Sequence, residues 1–290
     1  MTWVLFALTT ALALSTADAL SKRALGKTDD LVIVWVREGC ALPFLALALF
    51  FVPVPALDPV FWLTVAGLVP LEVISLVLYI KAIRLSPLSL TVPFLAMSPV
   101  FIIFIAFATL GEVPSTGGLI GVILITAGAY TLNASASKEG LLGPIKAIFK
   151  EPGSVLMLVV AVIYSVTSTL GKVAVQHSSP VFFGFFYPLT LTIVLTIFLS
   201  AKGKLGGVFE KPAVFLPIGL CTATMVITHF MAISMTQVAY MIAVKRLSLV
   251  FSVIYGWAMF KEEKIKQVMQ TQKRKQAAVP PEGVSTFKIS

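Results

Sequence analysis

Two adjacent cations, Lys245 and Arg246, interrupt the otherwise apolar stretch 238–263. A charged side chain at the centre of a membrane helix costs roughly 2.5–3.5 kcal/mol on insertion scales, so two together need a compensating role. A polar site inside a helix bundle would supply that role; a soluble helix or two snorkelling side chains are the alternatives. In a site, the pair would attract an anionic group such as a carboxylate or a phosphate. Tyr240 lies about one helical turn before the pair and is a further candidate.

Glu72 is the next candidate, because it lies about twelve residues into an apolar stretch, near the expected membrane midplane. A carboxylate at that depth is either neutralised by desolvation or paired with a cation. Lys245 or Arg246 is its expected partner. Such a pair would either hold helices together or help to couple a proton or a solute to transport.

Three further ionisable positions lie in apolar stretches. Arg37, beside Glu38, would either line a cavity or extend its side chain to the membrane surface. His229 would be either a proton relay or a polar residue satisfied by its neighbours. Asp18, near the predicted end of the first apolar stretch, is expected at the membrane interface.

The chain has no glycine-rich phosphate loop, zinc-ligand spacing or catalytic triad. Its two cysteines, Cys40 and Cys221, lie in apolar segments and are expected to be buried thiols. We therefore expect no cofactor and no metal, and we do not expect an enzyme. A membrane-embedded enzyme that holds a lipid-linked phosphate with its cations is the alternative from that class.

The elements that position these residues follow from composition. The 290 residues are 58% hydrophobic and 12% charged, whereas soluble domains carry about 25% charged residues. The mean hydropathy is +0.98. The net charge of +9 resides in short loops and the tail, which indicates orientation in a lipid bilayer and argues against nucleic-acid binding.

We predict an all-α integral membrane protein, a polytopic helix bundle with nine spans of a length that can cross a bilayer. The predicted spans are 2–20, 31–53, 60–80, 87–109, 115–133, 154–172, 180–200, 212–234 and 238–260. The first contains Ala17-Asp18-Ala19, which resembles a signal-peptide cleavage site. No Lys or Arg precedes it, and a later span repeats it, so we expect it to be retained.

A constant offset of 150 residues relates the two halves of the chain, pairing Lys22 with Lys172, Ser98 with Ser248 and Glu112 with Glu262. The repeated unit has five spans, an odd number, so the second copy is expected to be inverted in the membrane. Inverted repeats are typical of secondary transporters.

The predicted units are a first five-helix repeat (2–133), a connecting loop (134–153), an incomplete four-helix repeat (154–263) and a polar, basic tail (264–290). The tenth helix expected from the symmetry is not apparent. Lys and Arg collect in alternate loops, which predicts an extracytoplasmic N-terminus and a cytoplasmic C-terminus by the positive-inside rule. Lys172 is the exception.

The stretch PFLAMSPVFIIFIAFATLGEVPSTGGLIGVILITAGAYTL (93–132) resembles the end of an EamA domain of the drug/metabolite transporter superfamily. The stretch AYMIAVKRLSLVFSVIYGWAMFKEE (239–263) resembles the equivalent part of the second domain, and the resemblance covers about residues 2–263. It implies ten helices in two inverted repeats that move small metabolites or drugs by alternating access, often as exporters. It also implies a central cavity lined by helices 1, 3 and 4 and by helices 6, 8 and 9.

We therefore expect a secondary transporter of a small solute in a plasma membrane, with a bacterial inner membrane the favoured setting. A truncated, non-transporting membrane protein is the main alternative. Gly117, Gly121 and Gly128 form small-residue stripes in the fifth span, with Gly117 and Gly121 in GxxxG spacing. They indicate that this helix packs closely against another helix. A homodimer formed through this helix is one such arrangement.

Overall fold

The computed structural model describes residues 2–135 and 152–260. Most of the predicted connecting loop and the whole of the predicted tail, together with Glu262, lie outside the described residues. Every regular element within the described ranges is helical. The prediction of an all-α polytopic membrane protein is confirmed.

The helices follow the predicted spans closely. In the first half they are α1 (Thr2–Leu25), α2 (Asp30–Gly39), α3 (Leu42–Leu49), α4 (Pro59–Leu85), α5 (Leu88–Thr91), α6 (Ser98–Leu110) and α7 (Thr116–Ser135). In the second half they are α8 (Pro152–Gln176), α9 (Pro180–Ala201), α10 (Pro212–Met235), α11 (Val238–Lys245) and α12 (Ser248–Phe260). Two 3₁₀ turns, Val92–Met97 and Leu205–Phe209, complete the described elements.

Seven segments in the described part are long and apolar enough to cross a membrane. Two of them join consecutive helices, Asp30–Leu49 (α2 and α3) and Val238–Phe260 (α11 and α12). The shorter apolar helices Phe94–Leu110 and Thr116–Gly128 occupy the fourth and fifth predicted spans.

Side-chain caps and prolines define several helix starts. The side chains of Asp29, Asp58 and Ser179 accept hydrogen bonds from backbone N–H groups in the first turns of α2, α4 and α9. Such caps satisfy donors that have no partner within a helix. Proline occupies the first turn of α4, α9 and α10, where its missing N–H costs nothing.

The fourth helix of each half is broken near its middle. In the first half α5 leads through the 3₁₀ turn Val92–Met97 into α6, whose first turn contains Pro99. In the second half α11 ends at Lys245 and α12 begins at Ser248, at positions related by the offset of 150. Broken membrane helices expose backbone and polar groups at mid-depth, where transporters bind their solutes.

The two halves interlock in a symmetric manner. Helix α1 packs along α10 and α12, and its repeat counterpart α8 packs along α4 and α6. The helix bounds of the two halves also agree when shifted by 150 residues, from Thr2 with Pro152 to Leu85 with Met235. The interior between the halves is therefore built from both of them.

Candidate functional site

A cavity of about 100 Å³ lies between the two halves, in the middle of the bundle. Its wall includes six ionisable side chains, which are Arg37, Glu38, Glu72, His229, Lys245 and Arg246. Its aromatic wall consists of Tyr79, Tyr164, Tyr187 and Phe230. Helices α2 and α9 contribute to the lining in addition to the helices that the resemblance implied.

Lys245 and Arg246 both line this cavity because the helix is broken at this point. On a continuous helix, adjacent residues point about 100° apart, so only one of the two would face the cavity. Arg246 is 3% exposed, and its Nη2 donates a hydrogen bond to the Ser98 hydroxyl at 2.8 Å. The Lys245 Nζ lies 3.4 Å from the His229 Nδ1.

The contact between Arg246 and Ser98 joins the two broken helices. Ser98 begins α6 in the first half, and its counterpart Ser248 begins α12 in the second. In the described part of the chain, the Arg246 Nε and the Ser248 hydroxyl are buried without a hydrogen-bond partner. The guanidinium therefore has donor capacity that its protein neighbours do not use.

Glu72 and Glu38 form an acidic part of the wall on the first half, from α4 and α2. The side chains of Thr167 and Tyr187, from the second half, interact with the Glu72 carboxylate. Lys245 is close enough to Glu72 for an electrostatic interaction. In the described ranges, however, neither carboxylate has an ion pair within the 4.0 Å that defines one, so the expected pairing of Glu72 with Lys245 or Arg246 is not made in this structure.

Arg37 is neutralised by a residue that we expected at the membrane interface. Asp18 is fully buried at 0% exposure, so that expectation is wrong. Its Oδ1 accepts from the Arg37 Nη1 at 2.6 Å, and its Oδ2 accepts from the Tyr79 hydroxyl at 2.5 Å. The reason is that α1 continues to Leu25 rather than ending near residue 20, which places Asp18 about two turns inside the helix end.

Five of the six predicted site residues meet at the cavity, and Tyr240 lies elsewhere. The Tyr240 hydroxyl accepts a hydrogen bond from the Ser115 N–H at 2.7 Å, and its ring packs against Gly118. Sequence reasoning did not single out Ser98 or Thr167 as site residues. The offset of 150 residues could have indicated Ser98, because it pairs Ser98 with the serine two residues after Arg246.

Two lysines related by the offset of 150 residues each bind the end of a helix. Lys172, one residue after the lining residue Gly171, forms an ion pair with Glu112 and donates to the Thr236 carbonyl at 2.6 Å. Glu112 also accepts from the Val238 N–H at 2.9 Å, which caps the start of α11.

Lys22 repeats this arrangement in the other half. Its Nζ donates to the carbonyl oxygens of Ile83 at 2.9 Å and Ser86 at 2.7 Å, and Ser86 is the counterpart of Thr236. Each lysine thus binds the end of a helix in its own half, and Lys172 also binds Glu112 of the other half.

The sequence pattern of the EamA-like transporter family matches residues 1–134 and 151–268 of the chain. The chain belongs to the EamA-like transporter family. The two matched segments of this EamA-like chain correspond to the two interlocked halves of the fold, α1–α7 and α8–α12. Family members are membrane transporters, so the protein is a multi-pass membrane protein of a transporter family. No curated protein matches the chain.

No candidate metal site is found in the part of the chain that the structure describes. Residues 2–135 and 152–260 contain no group of three or more His, Cys, Asp or Glu side chains that could hold a metal ion. The cavity instead combines fixed charges, hydroxyl groups and aromatic rings. Such a wall can bind and orient a small polar solute.

Proposed function

We propose that the protein is a secondary transporter that moves a small polar or amphipathic solute by alternating access. The observation that supports this most is the position of Lys245 and Arg246. They lie at a helix break, in a central cavity of a protein from a transporter family. Fixed cations at mid-membrane are costly unless they serve a function such as solute recognition.

The two cations would receive an anionic group of the solute. Arg246 has an unused Nε donor, and Lys245 lies beside a histidine ring that does not neutralise its charge. Arginine and lysine bind carboxylates and phosphates through short, charge-assisted hydrogen bonds. Glu72, on the facing half, would compensate the cations when the solute is absent.

The symmetry-related lysines support alternating access. Lys172 with Glu112 ties α8 to the start of α11, and Lys22 ties α1 to the end of α4. We propose that these contacts close the two mouths of the cavity in turn, as rocking of inverted repeats requires.

The basic loops support an orientation with the N-terminus outside and the C-terminus in the cytoplasm. Three contacts bring these loops together on one face. Lys204 binds Asp29 at 2.6 Å, Lys211 donates to the Lys27 carbonyl at 3.0 Å, and Arg84 pairs with Asp30. A basic face is expected in the cytoplasm, so Lys172 would lie toward the outer mouth. A bacterial inner membrane is the setting that we propose.

Flux across reconstituted vesicles tests the proposal. Vesicles would be loaded with a defined mixture of amino acids, carboxylic acids and sugar phosphates, and efflux would be followed by mass spectrometry. We expect Lys245→Ala and Arg246→Ala to reduce efflux of the transported solute about tenfold or more, because each removes a cation from the cavity wall that would bind the anionic group of the solute. Lys202→Ala, an exposed cation at the end of α9, is the matched control and should transport normally.

The result also decides between the candidate functions. Flux that is equal in wild type, Lys245→Ala and Arg246→Ala would defeat the assignment of the site. Absence of flux for every class of solute would favour a non-transporting membrane protein, the main alternative expected from the sequence.

Access to the cavity can be measured with a thiol reagent. Ser168→Cys, in a background carrying Cys40→Ser and Cys221→Ser, places a thiol on the cavity wall. We expect Lys172→Met to increase its rate of labelling by an impermeant reagent from the outer face. An unchanged rate would contradict the role of this lysine in closing the outer mouth.

The GxxxG face of α7 supports a homodimer as a further proposal. A methyl group added at Gly117 or Gly121 would contact nothing within 4 Å in the described chain, so this face is available to another helix. Gly118, in contrast, packs against Tyr240 of the same chain. Cross-linking of vesicles that carry Gly121→Leu tests the proposal: the dimer band should disappear, and its persistence would exclude this face.

A further inference from the structure

Four cations from three parts of the chain converge on the turn between α1 and α2, at one end of the helix bundle. This basic cluster consists of Lys27 in the turn itself, Arg84 in the last turn of α4, and Lys204 and Lys211 in the connection between α9 and α10. The apolar helices begin or end at this level. The cluster therefore lies at the depth of the lipid headgroups, outside the hydrocarbon core of the membrane.

Two cations of the basic cluster are neutralised by aspartates. Lys204 lies 2.6 Å from a carboxylate oxygen of Asp29, which also caps the start of α2. Arg84 forms an ion pair with Asp30, the first residue of α2. Both acidic groups of this turn are thus already used by protein neighbours.

The other two cations contribute a surplus of positive charge. The Lys211 Nζ donates to the Lys27 carbonyl at 3.0 Å and to the Thr28 hydroxyl at 3.3 Å, and both of these acceptors are neutral. The Lys27 side chain is exposed, as is the neighbouring acid Glu210. In the described ranges none of Lys27, Lys211 and Glu210 forms an ion pair. An anion at this surface would therefore meet cations whose charge no aspartate offsets.

An exposed aromatic ring adjoins this charge. Phe209, at the end of the 3₁₀ turn Leu205–Phe209, is 74% exposed. The turn itself is fixed against α2, because Val208 is buried and Gly207 packs closely on Val32. A methyl group added at Gly207 would lie 3.1 Å from the Val32 Cγ2. The turn thus holds Phe209 at the surface, two residues before Lys211.

A second exposed apolar side chain adjoins the cluster on α4. Leu85 follows Arg84 directly and is 50% exposed. A small aqueous anion would gain nothing from these two apolar side chains. An anionic phospholipid carries both a phosphate and acyl chains, and the combination of Lys or Arg with Phe or Leu is typical of protein surfaces that bind at the lipid interface.

We propose that this surface binds an anionic phospholipid, with the phosphate on Lys27 and Lys211 and the acyl chains against Phe209 and Leu85. Lysine binds phosphate oxygens through charge-assisted hydrogen bonds. The bound lipid links the α1–α2 turn to the connection between α9 and α10, and so joins the two halves of the fold at this face. The site is separate from the central cavity, and the proposal does not depend on transport.

Lipids with equal acyl chains and different headgroups test the proposal. The purified full chain in a neutral detergent would be titrated with dioleoylphosphatidylglycerol or dioleoylphosphatidylcholine, and bound lipid would be counted by native mass spectrometry. We expect the first phosphatidylglycerol to bind about fivefold or more tightly than phosphatidylcholine, because each cation near a lipid surface contributes about this factor. Glycerol 3-phosphate, a headgroup without acyl chains, should not displace the lipid at equal concentration.

Variants assign the preference to the cluster. Lys27→Gln combined with Lys211→Gln should weaken phosphatidylglycerol binding about fivefold or more and leave phosphatidylcholine binding unchanged. Lys211→Arg should keep the preference, and Phe209→Ser should weaken binding of both lipids. Lys273→Gln combined with Lys275→Gln removes the same charge from the predicted tail and is the matched control. It should change the affinity for phosphatidylglycerol much less than the cluster variant does.

Three results would overturn the proposal. The first is equal affinity of wild type for the two lipids. The second is an equal loss of phosphatidylglycerol binding in the tail variant and the cluster variant, which would indicate attraction by net charge alone. The third is displacement of the lipid by glycerol 3-phosphate at equal concentration, which would assign the surface to a soluble phosphate.

Discussion

Asp18→Asn is the most informative single substitution for the packing around the site. It keeps the size of the side chain and an acceptor for the Tyr79 hydroxyl, and it removes the charge that neutralises Arg37. The pair lies at 0% and 3% exposure with a nitrogen–oxygen distance of 2.6 Å. At an effective dielectric constant of about 20, two charges at such a distance attract by ~6 kcal/mol.

The expected loss is smaller than this attraction, because desolvation of the two ions opposes it. Removing one partner of a buried ion pair typically costs about 3–5 kcal/mol of stability. For a protein of this size, that corresponds to a decrease of about 6 °C or more in the midpoint of thermal unfolding. Asp18→Asn combined with Arg37→Met should recover most of the loss, since both charges are then absent from the interior.

Thermal unfolding in detergent, followed by intrinsic fluorescence, measures all three variants. Ser21→Ala is the control on the same helix: Ser21 is buried at 0% exposure, and its hydroxyl has no hydrogen-bond partner in the described part of the chain. It should change the midpoint little. An unchanged midpoint in Asp18→Asn, or a double variant that loses the sum of the two single losses, would refute the reasoning.

Three other predictions use different contacts. Ser98→Ala should lower the unfolding free energy by about 1–3 kcal/mol, because it removes the acceptor of a buried Arg246 donor, and chemical denaturation in mixed micelles would measure it. Gly118→Ala should destabilise by about 1–3 kcal/mol through overpacking against Tyr240, whereas Gly67→Ala on α4, where an added methyl group meets nothing within 4 Å, should be neutral or stabilising by up to about 1 kcal/mol; equal effects would contradict the close packing at Gly118. The pKa of Asp58 lies below its ordinary value of 3.8, because a backbone N–H and then a histidine side chain stabilise its charge. Wild type should therefore have a larger unfolding free energy than Asp58→Asn at neutral pH, and this difference should be lost as the pH falls through the lowered pKa of Asp58. A difference that persists in stronger acid would contradict this assignment.

Hydropathy and the repeat predicted the fold well, because both depend on the chain alone. The nine predicted spans coincide with helices, and the offset of 150 relates their bounds and their breaks. Helix ends were less predictable. Asp18 was misplaced because the polar residues that follow it belong to the last turns of α1, where Ser21 is buried and Lys22 binds α4.

The site was predicted in part. Five residues of the cavity could be predicted, because they are ionisable residues in apolar spans. A charged side chain inside a membrane is costly in free energy unless polar groups surround it. Tyr240 is not among the five, since five residues separate it from Lys245 and place the two about 140° apart on a helix. The partners of the charges could not be predicted, because the Arg246–Ser98 and Arg37–Asp18 contacts depend on how different helices pack.

Solute protection of the cavity thiol tests the central claim most directly. Vesicles that carry Ser168→Cys would be labelled while they transport the solute identified in the flux assay. If the cavity is the transport site, the solute should slow labelling with a half-maximal concentration that matches the KM for flux, and Arg246→Ala should weaken both together. Saturating transport that leaves the labelling rate of this thiol unchanged would show that the solute passes elsewhere.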